Sequence, residues 1–384
     1  MSDIFIRFGL DLEDYSDPSP LRNHGPQFHR WLPNGEADAV QLQIGHPRYA
    51  LKVWFERRGF VRDGWIEYDD DRDEIDEALL DQQGALDAGP LSGLLKVVDP
   101  PEPAIAAIRA GALGDSAYLE FARHIVQEIL QPQVSYFLDT LRVRLGQHWI
   151  QPLEPWDSRR QTLGSYCLHL NMRWSEAASG PWQPLRPEKP VSFAQITAVG
   201  EYHFRDLITR DDWFAFDGMA PGETPITLGE TILMRAHAML NHGEHRFALV
   251  EATTALEVAI SERFRRRFQG SEILAVSASG FHGLSLGARL LALVPDPSDH
   301  ISDLELALEA IDHRHQIVHE GKSPPENSDR LVRSLLAVTA LLLPLEEYRF
   351  PSSRRGNALA PSEKWQEIYA ARGFEPLSQD SPDA

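Results

Sequence analysis

Residues 312–321 concentrate side chains that can move protons and bind phosphates. The stretch DHRHQIVHEG contains His313, Arg314, His315 and His319, and it closes with a glutamate and a glycine. Imidazole exchanges protons near neutral pH and can also ligate metals, whereas the planar guanidinium of arginine binds phosphate oxygens. The stretch can therefore be a metal site, a metal-free site for phosphate chemistry, or the cationic end of a helix.

A metal site requires ligands that converge on one ion. His315 and His319 are four residues apart, as in helical zinc proteases, but Gln316 follows the first of them where those enzymes need glutamate. His313 lies roughly 200° around a helix from His315, so one helix cannot bring all three imidazoles together. A third ligand would have to come from elsewhere, for example from His242. We therefore predict neither a metal nor another cofactor.

Metal-free phosphate chemistry needs only Arg314 and His319. The guanidinium can stabilise a phosphate or phosphorane, and the imidazole can accept or donate a proton. The two residues lie roughly 140° apart on an ideal helix, so they converge only if the last turn loosens at Gly321. The negative end of the helix dipole also favours a protonated His319. These two roles would suffice for RNA cleavage through attack by its own 2′-hydroxyl.

The same residues also fit a structural interpretation. Helix C-termini commonly gather cationic side chains that satisfy the last backbone carbonyls, and histidine is frequent there. On spacing alone, a cationic helix end is favoured over a catalytic pair.

Helical periodicity surrounds the stretch. Apolar side chains recur at helical spacing from Thr227 onward, and glycine or proline marks the helix ends. The predicted helices cover approximately residues 228–241, 247–268, 284–293, 304–321 and 329–348. We therefore predict an all-α bundle over residues 226–350, followed by a polar tail at 351–384.

Residues 1–225 predict a mixed α/β region, so the chain as a whole is predicted to be α+β. Runs of β-type residues bounded by turn formers predict strands, and a capped apolar periodicity predicts paired helices. The strands are expected at 4–8, 40–44, 49–55 and 190–200, and the helices at 115–146, with a cap at Asp115 and a restart at Pro132.

The acidic run EYDDDRDEIDE at 67–77 resembles the start of a calcium loop. Such a loop needs glycine at its sixth position and glutamate at its twelfth, and here these positions hold Glu74 and Leu80. A solvated acidic segment is the better interpretation.

Composition indicates a globular protein of the cytoplasm. The 384 residues are 42% hydrophobic, and the single cysteine, Cys167, excludes an internal disulfide framework and fits a reducing compartment. The N-terminus lacks the pattern of a signal peptide, and the longest apolar run is about half of the ~20 residues that a membrane helix needs. We therefore predict a cytoplasmic location and no membrane partner.

The charge distribution bears on nucleic-acid binding. The net charge of −20 disfavours broad binding of a polyanion. Residues 1–225 hold 35 acidic and 21 basic residues, a net of −14, whereas residues 226–350 hold 17 and 12, a net of −5. Phosphate chemistry is therefore expected in the C-terminal part of the chain.

The segment from about 228 to 345 resembles the HEPN superfamily, particularly the bacterial branch related to Apea-like and abortive-infection proteins. RHQIVH at 314–319 matches the superfamily's arginine, polar residue, three further residues and histidine, and HEG is a common continuation. HRFALVEATTALEVAISERF at 245–264 resembles the long helix that precedes this motif. The apolar helix after PPENSD also lies where the family has one. Residues 1–225 resemble no family.

The resemblance implies a homodimeric helical bundle that acts as a metal-independent endoribonuclease, often in toxin–antitoxin or anti-phage systems. In catalytic members the two Arg/His motifs face each other across the dimer cleft. Arg314 would stabilise the scissile phosphate, and His319 would be the general base or acid. His315, the polar residue of the motif, would orient or bind the RNA backbone.

The resemblance also suggests supporting residues. Glu251 or Glu257 could hold the arginine, although a role in helix packing is equally open, and Glu320 belongs to the common continuation. The candidates for RNA binding are Arg263, Arg265, Arg266 and Arg267, which otherwise form an ordinary helix end. They would have to concentrate positive charge in the cleft of an acidic protein.

The partners implied are RNA, a second copy of the chain, and possible triggers. Residues 1–225 would sense or regulate, and an antitoxin or a phage-derived trigger could act through them. The alternative is a non-catalytic HEPN module that dimerises and binds a nucleotide or a protein partner. The intact motif RHQIVH favours the nuclease, whereas the net acidity favours the alternative.

Overall fold

The predicted α+β class is confirmed. The structure is a computed structural model that describes residues 3–10, 12, 26–29, 31–56, 58–61, 64–67, 85–112, 114–147, 150, 153, 172–185, 208–241, 243–267, 281, 283–294, 300–343 and 350. Antiparallel sheets dominate the first part of these residues and helices the second. The acidic stretch from residue 68 onward, Cys167, His242 and the tail at 351–384 lie outside the described residues.

Ten strands form two sheets within the described residues. They are β1 Ile4–Leu10, β2 Gln27–His29, β3 Val40–Leu42, β4 Tyr49–Phe55, β5 Arg58–Val61, β6 Gly64–Glu67, β7 Ala85–Ala88, β8 Leu91–Val97, β9 Arg173–Ser175 and β10 Gln183–Pro184. One sheet has the order β10-β9-β1-β8-β4-β3 and the other β2-β7-β5-β6. The strands predicted at 4–8, 40–44 and 49–55 are present, and the strand predicted at 190–200 lies outside the described residues. In β1, every second side chain is buried, because alternate residues of a strand face the same side.

Two of the helices of the first part form a nearly continuous rod. Helix α1 spans Glu102–Arg109, α2 Ser116–Arg123 and α3 Gln131–Arg144, and a π-helical turn at His124–Leu130 joins α2 to α3. Asp115 caps α2 as predicted, because its side chain accepts a hydrogen bond from the amide of Ala117 at 2.8 Å. The second helix begins next to Pro132, but the backbone stays helical across the junction, with Leu130 and Gln131 both in the right-handed region.

Aromatic packing fills the core between this rod and the six-stranded sheet. The short helix α4, Arg210–Phe214, places Trp213 in this core, where it is fully buried against Phe55 and Phe137. Phe350 packs against Phe216 with ring centroids 4.7 Å apart and the planes tilted by 55°, so a residue from beyond the bundle packs in this first core.

The predicted helices of the C-terminal part are present. They are α5 Leu228–Asn241, α6 His245–Arg267, α7 Leu286–Leu293, α8 Ile301–Glu320 and α9 Ser328–Ala340. Their inward side chains form a second hydrophobic cluster. Helix α9 ends at Ala340 rather than at Tyr348, and residues 341–343 form turns. The sequence explains this early end, because Pro344 lacks an amide hydrogen and its ring clashes with a helical carbonyl four residues earlier.

Two side-chain contacts show that α8 and α9 are antiparallel. The amide of Asn327 donates to Glu309 at 3.3 Å, and the hydroxyl of Ser334 donates to Asp303 at 3.0 Å. Residues later in α9 therefore contact residues earlier in α8.

A third contact fixes the direction of α6. Arg266 donates to the carbonyl of Leu342, just beyond α9, at 3.0 Å, so α6 and α9 end on the same side of the bundle. The last turn of α6 (263–267) therefore shares an end of the bundle with the start of α8, which we call the arginine end. The last turns of α8 (312–320) and the first turns of α6 (245–251) lie at the other, which we call the histidine end.

A buried ion pair joins the first part of the chain to the bundle. Arg144, at the end of α3, donates to Glu230 at 2.9 Å and to the carbonyl of Pro225 at 3.0 Å. The two charged side chains are only 1% and 3% exposed. Glu230 also accepts from the amide of Thr227 at 2.7 Å and so caps α5.

No helix in the described ranges is long and apolar enough to cross a membrane.

Candidate functional site

Helix α8 ends as its sequence predicts, at the glycine of the chemical stretch. Gly321 has φ of +67°, in the left-handed region where glycine pays no steric penalty, and its amide donates to the carbonyl of Gln316. The last turn, with His319 and Glu320, therefore projects at the histidine end of the bundle.

His315 and His319 form an exposed pair. They lie one turn apart on the same face of α8, and their ring centroids are 4.6 Å apart with the planes tilted by 44°. Both side chains are exposed. Two imidazoles are thus presented together to solvent, where a ligand can reach both.

The side chain of Arg314 points in a different direction from those of His315 and His319. It lies four residues after Ala310 and three before Ile317, both buried, and is itself partly buried. Its Nε is shielded from solvent and has no hydrogen-bond partner in the described part of the chain. The arginine stem thus packs into the bundle, at roughly 100° from His315 and 140° from His319 around the helix.

The structure shows no contact between the side chains of Arg314 and His319, which were predicted to converge. Within the described ranges no hydrogen bond joins the two side chains, whereas His319 is in ring contact with His315. The left-handed Gly321 follows the last helical residue and does not loosen the preceding turn. The ring contact within the motif is therefore between its two histidines.

His313 lies apart from this pair. Its Nε2 is 3.6 Å from the carboxylate of Glu309, one turn earlier on α8. In the described residues no group of three or more histidine, cysteine, aspartate or glutamate side chains is arranged to hold a metal ion.

Glu320 is held beside the histidines by a lysine. Its carboxylate lies 2.9 Å from the ammonium of Lys322. The hydrogen bond and the charge of Lys322 lower the pKa of Glu320, and the charge of His315 lowers it further. Glu320 therefore stays anionic next to the pair.

Glu251, one of the two glutamates expected to hold Arg314, has another partner. Glu251 pairs with Arg235 of α5 at 2.7 Å, and it makes no hydrogen bond to Arg314 in the described structure. Glu257 lies about 9 Å further along α6 toward the arginine end. The described contacts therefore assign Glu251 to helix packing.

The basic cluster is remote from the histidines within one chain. Arg265 and Arg267 are exposed and Arg263 partly so, while Arg266 is engaged with the end of α9. All four belong to the arginine end. The stretch of α8 from that end to His319 is about 24 Å long or more, at 1.5 Å per residue. A single copy therefore does not place these arginines beside the imidazoles.

Two exposed apolar residues at the histidine end were not expected. The helical periodicity assigns Val318 to the inward face, but it is 46% exposed and Ile317 takes the buried position. Phe247, in the first turns of α6, is 59% exposed. In the sequence, each of these residues is a large apolar residue directly beside the inward-facing positions of its helix. Periodicity alone does not distinguish such a residue from one in the core.

A second polar chain lies in the first part of the protein. The Tyr49 hydroxyl is 3.0 Å from His124 Nε2, and His124 Nδ1 is 2.7 Å from Glu128. Burial raises the pKa of Tyr49. Sequence reasoning missed this network, because Tyr49 is distant in the chain from the π-helical turn that supplies the other two residues.

A cavity of about 280 Å³ opens at the β9–β10 hairpin. Its lining includes Trp174, Gln183 and the ion pair between Arg109 and Glu176, which are 2.7 Å apart. None of the lining residues belongs to the bundle, so this cavity is separate from the histidine pair.

Comparison of the chain with protein-family models, with curated proteins and with solved structures gave no match in any of the three. Functional assignment therefore depends on the residues and their geometry.

Proposed function

We propose that the chain is a metal-independent endoribonuclease whose C-terminal bundle is a HEPN-like domain. The observation that carries the proposal is the exposed His315–His319 pair, 4.6 Å apart, next to Arg314 at the end of α8. Imidazoles near neutral pH move protons, and a neighbouring guanidinium offsets the charge of a phosphorane. This set is sufficient for attack of an RNA 2′-hydroxyl on the adjacent phosphate.

Arg314 would act through its terminal nitrogens. Because Nε is shielded inside the bundle, the phosphate must approach the far edge of the guanidinium. A packed stem costs less conformational entropy when the head group binds, so the arginine is oriented before RNA arrives. Glu320, held anionic by Lys322, would support the histidines rather than bind RNA.

We propose that the active species is a homodimer formed at the histidine end. Phe247 and Val318 expose apolar surface at this end, and such surface favours association with a second copy. Two RHQIVH motifs would then flank one cleft. The arginine ends would face outward in this arrangement and could hold RNA beyond the cleft.

We propose a cytoplasmic role in a bacterial defence or toxin system. The single cysteine fits a reducing compartment. Residues 1–225 carry a net charge of −14 and contact the bundle through Arg144 and Glu230. They are suited to sense an antitoxin or a phage-derived trigger and to pass the signal to α5.

A non-catalytic bundle that dimerises and binds a nucleotide or a protein is the second candidate. It is favoured by the distance between the basic cluster and the histidines, and by the net charge of −20. Such a module would keep the apolar histidine end for pairing but would not cleave RNA.

The deciding experiment compares RNA cleavage and expression toxicity of the wild type with His319→Ala, both in EDTA. We expect wild-type cleavage that EDTA does not abolish, and a loss of about 10²–10⁴-fold in the variant. The matched control is His313→Ala on the same helix, which should retain activity because His313 faces Glu309. Equal cleavage by wild type and His319→Ala, or no cleavage by any protein, would exclude the nuclease.

Dimerisation is tested by sedimentation of the full chain at micromolar concentration. We expect a dimer, and a monomer for Val318→Asp, because a buried charge at an apolar interface is costly. Leu291→Asp is the control, since this residue is equally exposed but lies on α7. A monomeric wild type would contradict the composite site.

A further inference from the structure

We infer, on the basis of the proposed ribonuclease function, that His315 is a second catalytic histidine. In this assignment, His315 is the general acid and His319 the general base of the same chain. The family motif requires only a polar residue at 315. The structure places an exposed imidazole there, in contact with the ring of His319.

Both imidazoles are available for proton transfer. Neither ring has a hydrogen-bond or ion-pair partner in the described residues, in contrast to His124, which contacts Tyr49 and Glu128. Since the two planes are tilted by 44°, their nitrogens point in different directions. A phosphodiester placed before the pair can therefore meet one nitrogen at its 2′-oxygen and another at its 5′-oxygen.

The surrounding charges favour different roles for the two rings. Glu320 interacts electrostatically with His315, so an anion lies beside that ring. We therefore assign the acid role to His315 and the base role to His319.

The reaction then balances without a cofactor. Neutral His319 takes the proton of the 2′-hydroxyl while the 2′-oxygen bonds to phosphorus. The bond from phosphorus to the 5′-oxygen breaks, and protonated His315 gives its proton to that oxygen. The products are a 2′,3′-cyclic phosphate and a 5′-hydroxyl, and the net change in the protein is one proton moved from His315 to His319.

The test uses two oligoribonucleotides with one cleavage site, in the full-length protein. The first has the natural 5′-oxygen, and the second has sulfur at that bridging position, which leaves as a thiolate without being protonated. We expect His315→Ala to cut the first about 100-fold or more slowly than wild type, and the second within about tenfold of wild type. His319→Ala should be slow on both, and His313→Ala should match wild type on both.

The pH profile gives a second readout. Wild-type cleavage should show the bell-shaped pH profile of one general acid and one general base, and His315→Ala should lose the fall at high pH. Other charged groups at the histidine end are Asp312, Arg314, Glu320, Lys322, Arg235, Glu244, Arg246 and Glu251, and the pair of His313 with Glu309.

The outcomes separate this assignment from the proposed function. Wild-type rates for His315→Ala on the oxygen substrate would overturn the role of His315 and leave the nuclease intact. Equal losses on the oxygen and sulfur substrates would also overturn it, because a binding or structural role does not depend on the leaving group. No cleavage by wild type would overturn both proposals. Circular dichroism melts of each variant exclude misfolding as the cause of a loss.

Discussion

Replacing Arg144 by methionine should destabilise the chain strongly, because the arginine belongs to a buried ion pair. The substitution keeps most of the side-chain volume but leaves Glu230, 3% exposed, as a buried carboxylate without its cation. Removing one partner of a buried pair typically costs about 3–5 kcal/mol, mostly through the uncompensated charge. We expect a loss of about 3 kcal/mol or more, because Arg144 also donates to the carbonyl of Pro225.

The assay is urea unfolding at neutral pH, followed by tryptophan fluorescence and by circular dichroism. Both probes are needed, since a chain of this length can unfold in more than one transition. Glu230→Gln and the double variant complete a cycle with Arg144→Met, and the double variant should lose less than the sum of the single ones, by about 1 kcal/mol or more. This pattern would show that the charge, and not the packing, causes the loss.

Arg109→Met is the matched control. Arg109 also pairs with a glutamate, Glu176, but the two side chains are 45% and 48% exposed. An exposed pair contributes about 0–1 kcal/mol, so this variant should unfold close to wild type. If Arg144→Met stayed within about 0.5 kcal/mol of wild type, the buried pair would not stabilise the junction and the reasoning would be refuted.

Further predictions concern backbone geometry and packing, and each is measured as a change in the free energy of unfolding. Gly321→Ala should cost about 1–2 kcal/mol, because φ of +67° is unfavourable for alanine, and it should also lower RNA cleavage by displacing the end of α8. Asp115→Ala should cost about 1 kcal/mol through loss of the cap to the Ala117 amide, and a melting temperature equal to wild type would contradict that role. Gly93→Ala should cost about 1–3 kcal/mol, since the added methyl would lie 2.1 Å from the fully packed ring of Phe8, and Gly45→Ala, with no neighbour nearby, is its control.

The elements of the bundle could be predicted because their signals are local. Apolar spacing, Gly321 and the prolines determine where α5 to α8 begin and end, and the structure differs by only a few residues. The end of α9 was predicted too late because its apolar run continues past the point where Pro344 ends the helix. Val318 was misplaced for a related reason, since a periodic pattern does not distinguish a position at the edge of the stripe from one inside it.

The arrangement of the site could be predicted only in part. Helical angles already show that Arg314 and His319 diverge and that His315 and His319 share a face. Burial of the Arg314 Nε and the opposite placement of the basic cluster depend on how helices pack. That packing is fixed by contacts such as Ser334 with Asp303, between residues far apart in the chain, which no local pattern contains.

The π-helical turn at His124–Leu130 sets the rotational phase of α3 relative to α2. Removing one residue from it would rotate every side chain of α3 by about 100° and shift it by about 1.5 Å. Arg144 would then point away from Glu230, although neither residue had changed. The number of residues in this turn is thus as strictly specified as the identity of the ion pair, and one inserted or deleted codon there would break the ion pair that joins the first part of the chain to the bundle.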